Sequence, residues 1–209
     1  RRGSKEKTIT ALNTIKSRWH GELSCDLIAG LTGQTAQSLS DDVQRLIDYR
    51  IEHISLYGLC SEEPLPDTRE DFISELLREN TELLAENGYI RYEVSNFSYR
   101  DKHRSLHNQI YWNMEPYVGI GPAACGTLIH EDSGGKFIAA ERFEGIKDIG
   151  KWMTAADRTS VYPCEHIDRN IFLEEVLLMG FRLSEGINRP AFARRFGADI
   201  TAFIGNTLR

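Results

Sequence analysis

Asp26 is a lone carboxylate in an otherwise largely apolar run from Leu23 to Ile28, and two glycines, Gly30 and Gly33, follow it. Taking a carboxylate out of water without a partner is costly. Asp26 therefore either joins a structural salt bridge, caps the next loop, or faces a ligand and accepts hydrogen bonds from groups such as ribose hydroxyls. A second cluster is His107-Asn108-Gln109-Ile110-Tyr111-Trp112. It offers one metal-binding nitrogen beside flat apolar walls, the combination a haem needs from an axial ligand and its pocket. The same residues also suit ordinary packing, with His107 and Asn108 satisfying backbone groups and the rings filling space. The small-residue stretch Gly119-Ile120-Gly121-Pro122-Ala123-Ala124 lets a backbone approach a ligand closely, or forms a tight turn between packed elements.

Other reactive residues carry less. Cys25, Cys60, Cys125 and Cys164 stand singly, without a CxxC or CxxxCxxC cluster, and read as reduced, mostly buried thiols. His103, between Lys102 and Arg104, and the pair Glu62-Glu63 read as solvated surface groups. No Ser–His–Asp pattern and no HExxH motif occurs. The net charge of −6, from 25 basic and 31 acidic residues, argues against a general nucleic-acid binder. No apolar run approaches the roughly 20 residues that span a bilayer, and no signal segment opens the sequence. A cytoplasmic location is the default expectation. The sequence opens on Arg1 rather than Met, and its last residues, 199–209, read as the start of a helix. A fragment, a processed chain or an incomplete gene model is expected.

The elements that must position these groups follow from periodicity. Ser4 caps a helix over Lys5 to Arg18, with Ile9, Leu12 and Ile15 on one face. Leu23 to Ile28 reads as a strand, and Ser38 to Tyr49 as a helix with Leu39, Val43, Leu46 and Ile47 along one stripe. His53 to Leu59 is a second strand. Pro64 and Pro66 break the chain, Asp67 caps a helix running to about Asn87, and Tyr89 to Val94 is a third strand. Strands alternating with helices imply a parallel sheet with right-handed crossovers, whose ligands bind at the C-terminal strand ends. From Ser98 to Gly126 the pattern is irregular. Beyond it, a strand is expected near Lys136 to Ala139 and helices over Glu144 to Ala155, Asp168 to Leu183, Ala191 to Phe196 and Ile200 to Leu208.

Six segments, in order, resemble those of one family. Cys25 to Thr35 is similar to "DLIxGLPGQT", His53 to Tyr57 to "HISLY", and Tyr92 to Phe97 to "YEISNFA". His107-Asn108 with Tyr111-Trp112 fits "HNxxYW", Tyr117 to Ala123 resembles "YxGxGxGA", and Glu174 to Gly186 resembles "EExLMxGLRLxEG". The chain thereby resembles the radical S-adenosylmethionine (SAM) group of oxygen-independent coproporphyrinogen III oxidase-like proteins, in its HemW haem-chaperone branch. The resemblance implies an α/β fold, a sector of a partial (β/α)6, TIM-like radical-SAM barrel over residues 1–130 with its loop insertion, and a C-terminal helical extension over 131–209. It implies SAM contacts at Arg1 (carboxylate), Asp26 (ribose), Ile28 and Cys60 (adenine). It also implies haem contacts at His107, Asn108, Tyr111 and Trp112, with His107 on the iron. An imidazole must be unprotonated to bind iron, so binding should weaken in acid.

The departures from the family pattern matter equally. Its [4Fe–4S] cluster is held by a CxxxCxxC motif that this sequence lacks; Thr32 replaces a proline, and Ala124-Cys125-Gly126-Thr127 stands for "GAHS". The expected function is haem binding and transfer. The alternatives are oxidative decarboxylation of coproporphyrinogen III to protoporphyrinogen IX, or an inactive remnant. Haem or porphyrin, a haem-acceptor protein and a homodimer are the partners this reading admits.

Overall fold

Ser4 accepts a hydrogen bond from the Lys7 amide and opens α1, Lys5–Arg18. The computed structural model describes residues 4–60, 66–157 and 159–205. Arg1, Glu62, Glu63 and Pro64 lie outside them. Two units divide the chain: Arg1–Arg91 with Ser95–Arg104, and Tyr92–Val94 with Ser105–Arg209.

In the first unit, β1 (Ser24–Ala29) and β2 (His53–Gly58) pair in parallel from Ser24↔His53 to Ala29↔Gly58. The connection between them runs through α2, Ala36–Asp48. Thr35 and Ser38 start this helix with a reciprocal capping box. Its Leu39, Val43 and Leu46 follow the i, i+4, i+7 spacing and are buried. A longer helix, α3 (Asp67–Glu86), adds Ile73, Leu76 and Leu84 to the buried set. Together with Ala29, Ile54, Leu56, Tyr89 and Phe97 these residues form the core.

The sheet order is β1-β2-β4-β3, where β3 is Tyr89–Arg91 and β4 is Asn96–Tyr99. This corrects the expectation of parallel strands alone, because β4 runs antiparallel to both of its neighbours. The third strand also ends at Arg91 instead of Val94. Only residues 92–95 separate β3 from β4, far fewer than the dozen or so that a parallel crossover needs. The chain reverses, and Asn96–Tyr99, beyond the expected end of the third strand, becomes a strand.

The second unit holds an antiparallel sheet of β5 (Cys125–Glu131), β6 (Phe137–Glu144) and β7 (Cys164–Ile167), in that order. Its helices are α4 (Leu106–Trp112), α5 (Ile149–Thr154), α6 (Arg169–Gly180), α7 (Arg189–Phe196) and α8 (Thr201–Ile204). Phe137 stacks on Phe172 at 4.5 Å, and Phe192 and Phe196 complete an aromatic core. Two expectations change here. The helix expected from Glu144 begins at Ile149, because Glu144 is still in β6 and Asp148 supplies the cap. The stretch read as irregular contains α4, whose seven residues are too short for their periodicity to stand out.

Candidate functional site

Strand alternation sorts the first sheet into two faces. Cys25, Leu27, Ile54 and Leu56 belong to the core side. On the other side the register aligns Ser24 with His53, Asp26 with Ser55, and Ile28 with Tyr57. Asn96 and Ser98 of β4 continue the Ser55 and His53 rows. Asp26 is exposed, and its carboxylate makes no hydrogen bond or ion pair with any described residue. The salt-bridge and capping alternatives for it are therefore not what the structure has. Ile28 and Tyr57 beside it are exposed apolar groups, 42% and 39%. A free carboxylate next to a flat apolar strip can accept from a vicinal diol while a planar ring lies on the strip. Below it, Ser24 Oγ and His53 Nδ1 are 2.8 Å apart. Burial holds the His53 imidazole below its ordinary titration range, with Asp26 acting weakly in the opposite sense.

The loop leaving β1 is organised by Gln34. Its side-chain carbonyl accepts from the amides of Gly30 (2.6 Å) and Leu31 (3.2 Å), and its amide donates to Ile28 O (3.0 Å). Gly30 has φ +96°, and a Cβ there would lie 2.6 Å from Ile73 Cγ1, so only glycine fits both the backbone and the space. The Arg69 guanidinium donates to Gly30 O. Cys60, just past β2, is exposed and its thiol lies 3.7 Å from Gly58 O. Arg1, the remaining residue of this expected set, lies outside the described residues.

In the second unit, α4 carries the whole His107–Trp112 segment. Ser105 caps it by accepting from the Asn108 amide, which accounts for the backbone amide and not the side chain of Asn108. His107 and Tyr111 are one turn apart, edge to face at 4.7 Å, and Tyr111 meets Tyr117 edge to face at 4.6 Å. His107 is exposed and makes no hydrogen bond to a described residue. Leu106 and Ile110 are exposed beside it, 76% and 37%. Trp112 is partly buried, and its ring lies under the Arg182 guanidinium at 4.8 Å. Next to Tyr111 is a small cavity of about 200 Å³, lined also by Met114, Tyr117, Thr127, Met179 and the Arg142–Glu175 ion pair.

Other readings resolve more plainly. The Gly119–Ala124 stretch packs against protein: a Cβ on Gly119 would fall 2.0 Å from Cys125 O, and Tyr162 Oη accepts from the Gly121 amide at 2.9 Å. The thiols are not mostly buried, since Cys60, Cys125 and Cys164 are exposed and only Cys25 is half-buried. Burial, and then Asp26 and Glu52, push the Cys25 thiol up. Each unit carries two cysteines, and among the described residues no three His, Cys, Asp or Glu side chains form a metal-binding group. The chain's own thiols do not fit a three-thiolate iron–sulfur site. His103 is not a freely solvated residue, because its Nδ1 lies 2.7 Å from Glu22. Among the described residues no helix is long and apolar enough to cross a membrane.

Sequence reasoning missed Tyr57 and Ser55, which the parallel register brings beside Asp26, and it missed Arg182. The first two were within reach of a period-2 count from His53. Arg182 is 70 residues from Trp112 in sequence (182 − 112), and no local pattern connects them.

Comparisons with known proteins bear on the family and the fold. Residues 167–209 match the HemN C-terminal domain. The chain is 25% identical over 213 residues to the heme chaperone HemW of Lactococcus lactis, covering 95% of this chain and 52% of that protein. It is 32% identical over 180 residues to mouse radical S-adenosyl methionine domain-containing protein 1, mitochondrial, covering 80% and 40%. The fold is that of coproporphyrinogen III oxidase (HemN) from Escherichia coli, a radical SAM enzyme: TM-score 0.70, 14% identity, over 97% of this chain and 50% of that one. The chain spans about half the length of the curated relatives it matches.

Proposed function

Because the chain belongs to the HemN/HemW-like radical-SAM family, we propose that it binds haem and passes it on, as its HemW relatives are named for doing. The observation that carries this reading is His107 on the exposed face of α4. Its imidazole is uncommitted, Tyr111 is one turn away, and the apolar Leu106 and Ile110 stand beside it. An imidazole free to ligate iron next to apolar surface is what a haem cargo requires. Asn108, Tyr111 and Trp112 frame the same helix.

In this reading residues 1–130 supply the barrel sector with its insertion, and 131–209 the extension. SAM, when bound, supplies the adenosyl group. Asp26 would hold the ribose hydroxyls, Ile28 and Tyr57 would carry the adenine, Cys60 would close the strand end, and Arg1 would meet the carboxylate. An iron–sulfur cluster has no ligand set among this chain's cysteines. A cytoplasmic location, a haem-acceptor protein and a homodimer remain parts of the proposal.

The test is a haemin titration followed in the Soret band. The wild-type chain should shift the band and His107→Ala should abolish the shift. A wild-type titration without a shift, or an alanine variant that shifts it unchanged, would refute the assignment.

A further inference from the structure

Among the described residues Arg182 meets the His107–Trp112 helix through Trp112 and pairs with no carboxylate. Arg142 is tied to Glu175 at 2.7 Å, Arg195 to Glu131 at 2.8 Å, and Arg189 to Asp199 at 2.9 Å. Arg182 is different. It is exposed, no described carboxylate pairs with it, and its guanidinium lies over the Trp112 ring at 4.8 Å. That distance is within cation–π range and holds the guanidinium against the ring. A cation–π contact consumes no hydrogen-bond donor, so the fork of N–H groups that recognises a carboxylate through two parallel hydrogen bonds remains.

The turn that carries Arg182 is fixed. Ser184 N donates to Tyr92 O at 3.0 Å, Glu93 bridges Leu183, and the Gly186 amide donates to Leu183 O at 3.0 Å. Trp112 is equally fixed, as the last residue of α4. Two fixed elements thus hold an unneutralised guanidinium beside the last turn of the helix whose first turn carries His107.

We propose that Arg182, held by Trp112, is a carboxylate clamp that selects a tetrapyrrole with free propionate groups. This rests on the haem reading of His107 and extends it from the iron to the periphery of the ligand. A neutral cargo, or one with blocked carboxyls, leaves the fork empty and binds less tightly. The iron–imidazole bond is unaffected by that difference.

The test titrates haemin and haemin dimethyl ester in parallel into the full chain, reading both affinity and Soret position. A charge-assisted fork should give the wild type a roughly tenfold to hundredfold preference for the free acid. Arg182→Ala should erase the preference while leaving the Soret maximum of bound haemin in place. Arg182→Lys should retain part of it, since the charge remains and the fork is gone. Arg194→Ala, at an exposed cation of α7 that makes no cation–π contact with Trp112, should leave the preference intact. An Arg182→Ala variant that still discriminates, or a loss of discrimination caused by Arg194→Ala instead, would overturn the clamp and leave the haem reading standing. A wild type that shifts the Soret band with neither compound would overturn both.

Discussion

Replacing Gln34 by alanine should loosen one short loop and little else. The Gln34 carbonyl is the acceptor for the Gly30 and Leu31 amides at 2.6 and 3.2 Å, and its amide group donates to Ile28 O at 3.0 Å. Each intramolecular hydrogen bond contributes a net of about 0.5–1.5 kcal/mol. These three are part-buried or exposed, so water replaces some of what is lost and the lower half of that range applies. Losing two acceptors from adjacent amides then lowers the local opening free energy by about 1–2 kcal/mol, and about 1.4 kcal/mol is a tenfold change in an equilibrium. Amide hydrogen exchange at Gly30 and Leu31 should accelerate roughly tenfold. The amides of the following helix should keep their protection, because the Thr35–Ser38 capping box is independent of Gln34. Gln34→Glu separates the contributions: it retains an acceptor for both amides but turns the donor that faces Ile28 O into a second, repelling acceptor, so its exchange should lie between wild type and Gln34→Ala. Unchanged exchange in Gln34→Ala would show that Arg69 and the helix cap hold the loop without it. Equal acceleration in Gln34→Glu would show that the contact with Ile28 O, and not the acceptor for the two amides, holds the loop.

Phe172 is fully buried and stacked on Phe137; Phe172→Ala should cost about 3–5 kcal/mol by urea denaturation, a large part of an ordinary domain's stability. A loss below about 1 kcal/mol would mean that this aromatic core does not organise its unit. His53 gives a pH dependence whose sign follows from its burial. Its folded-state pKa lies below the ordinary value of 6.5, so below that value the unfolded chain takes up a proton that the folded chain resists. Stability present above that value is lost as pH falls from there toward the folded-state pKa. Thermal unfolding at about pH 7.5 and about pH 5.5 should show this loss, and His53→Gln should reduce it; a variant with the wild-type difference would assign the effect to other groups.

How far the sequence reached depended on the range of each interaction. Helices α2 and α6 were legible from their long apolar stripes alone, within a few residues of the ends that Thr35 and Asp168 cap. The parallel pairing of β1 with β2 followed from the strand–helix–strand order. The position of β4 between β2 and β3 did not, because Asn96-Phe97-Ser98-Tyr99 is a four-residue alternation that runs from beyond the expected end of the third strand into the irregular stretch from Ser98. In the same way Gly119 was legible as a close-approach glycine, but only the structure shows that the approaching group is the chain's own Cys125 carbonyl.

The two candidate sites differ in this respect for a physical reason. A strand repeats every two residues, so once β1 and β2 are paired in register, Asp26, Ile28, Ser55 and Tyr57 must share a face whatever else the chain does. The α4 site has no such rule beyond one turn: helical spacing links His107 to Tyr111, and nothing local links Trp112 to Arg182. That contact depends on where the turn after α6 docks, through Ser184 and Leu183 against Tyr92 and Glu93. Both segments were singled out in the sequence, "YEVSNF" around Tyr92 and "GFRLSEG" around Arg182, as separate strings. Their backbone pairing joins them into one support, and a change at Ser184 or Leu183 should therefore reach the proposed ligand site through the placement of Arg182, without touching His107.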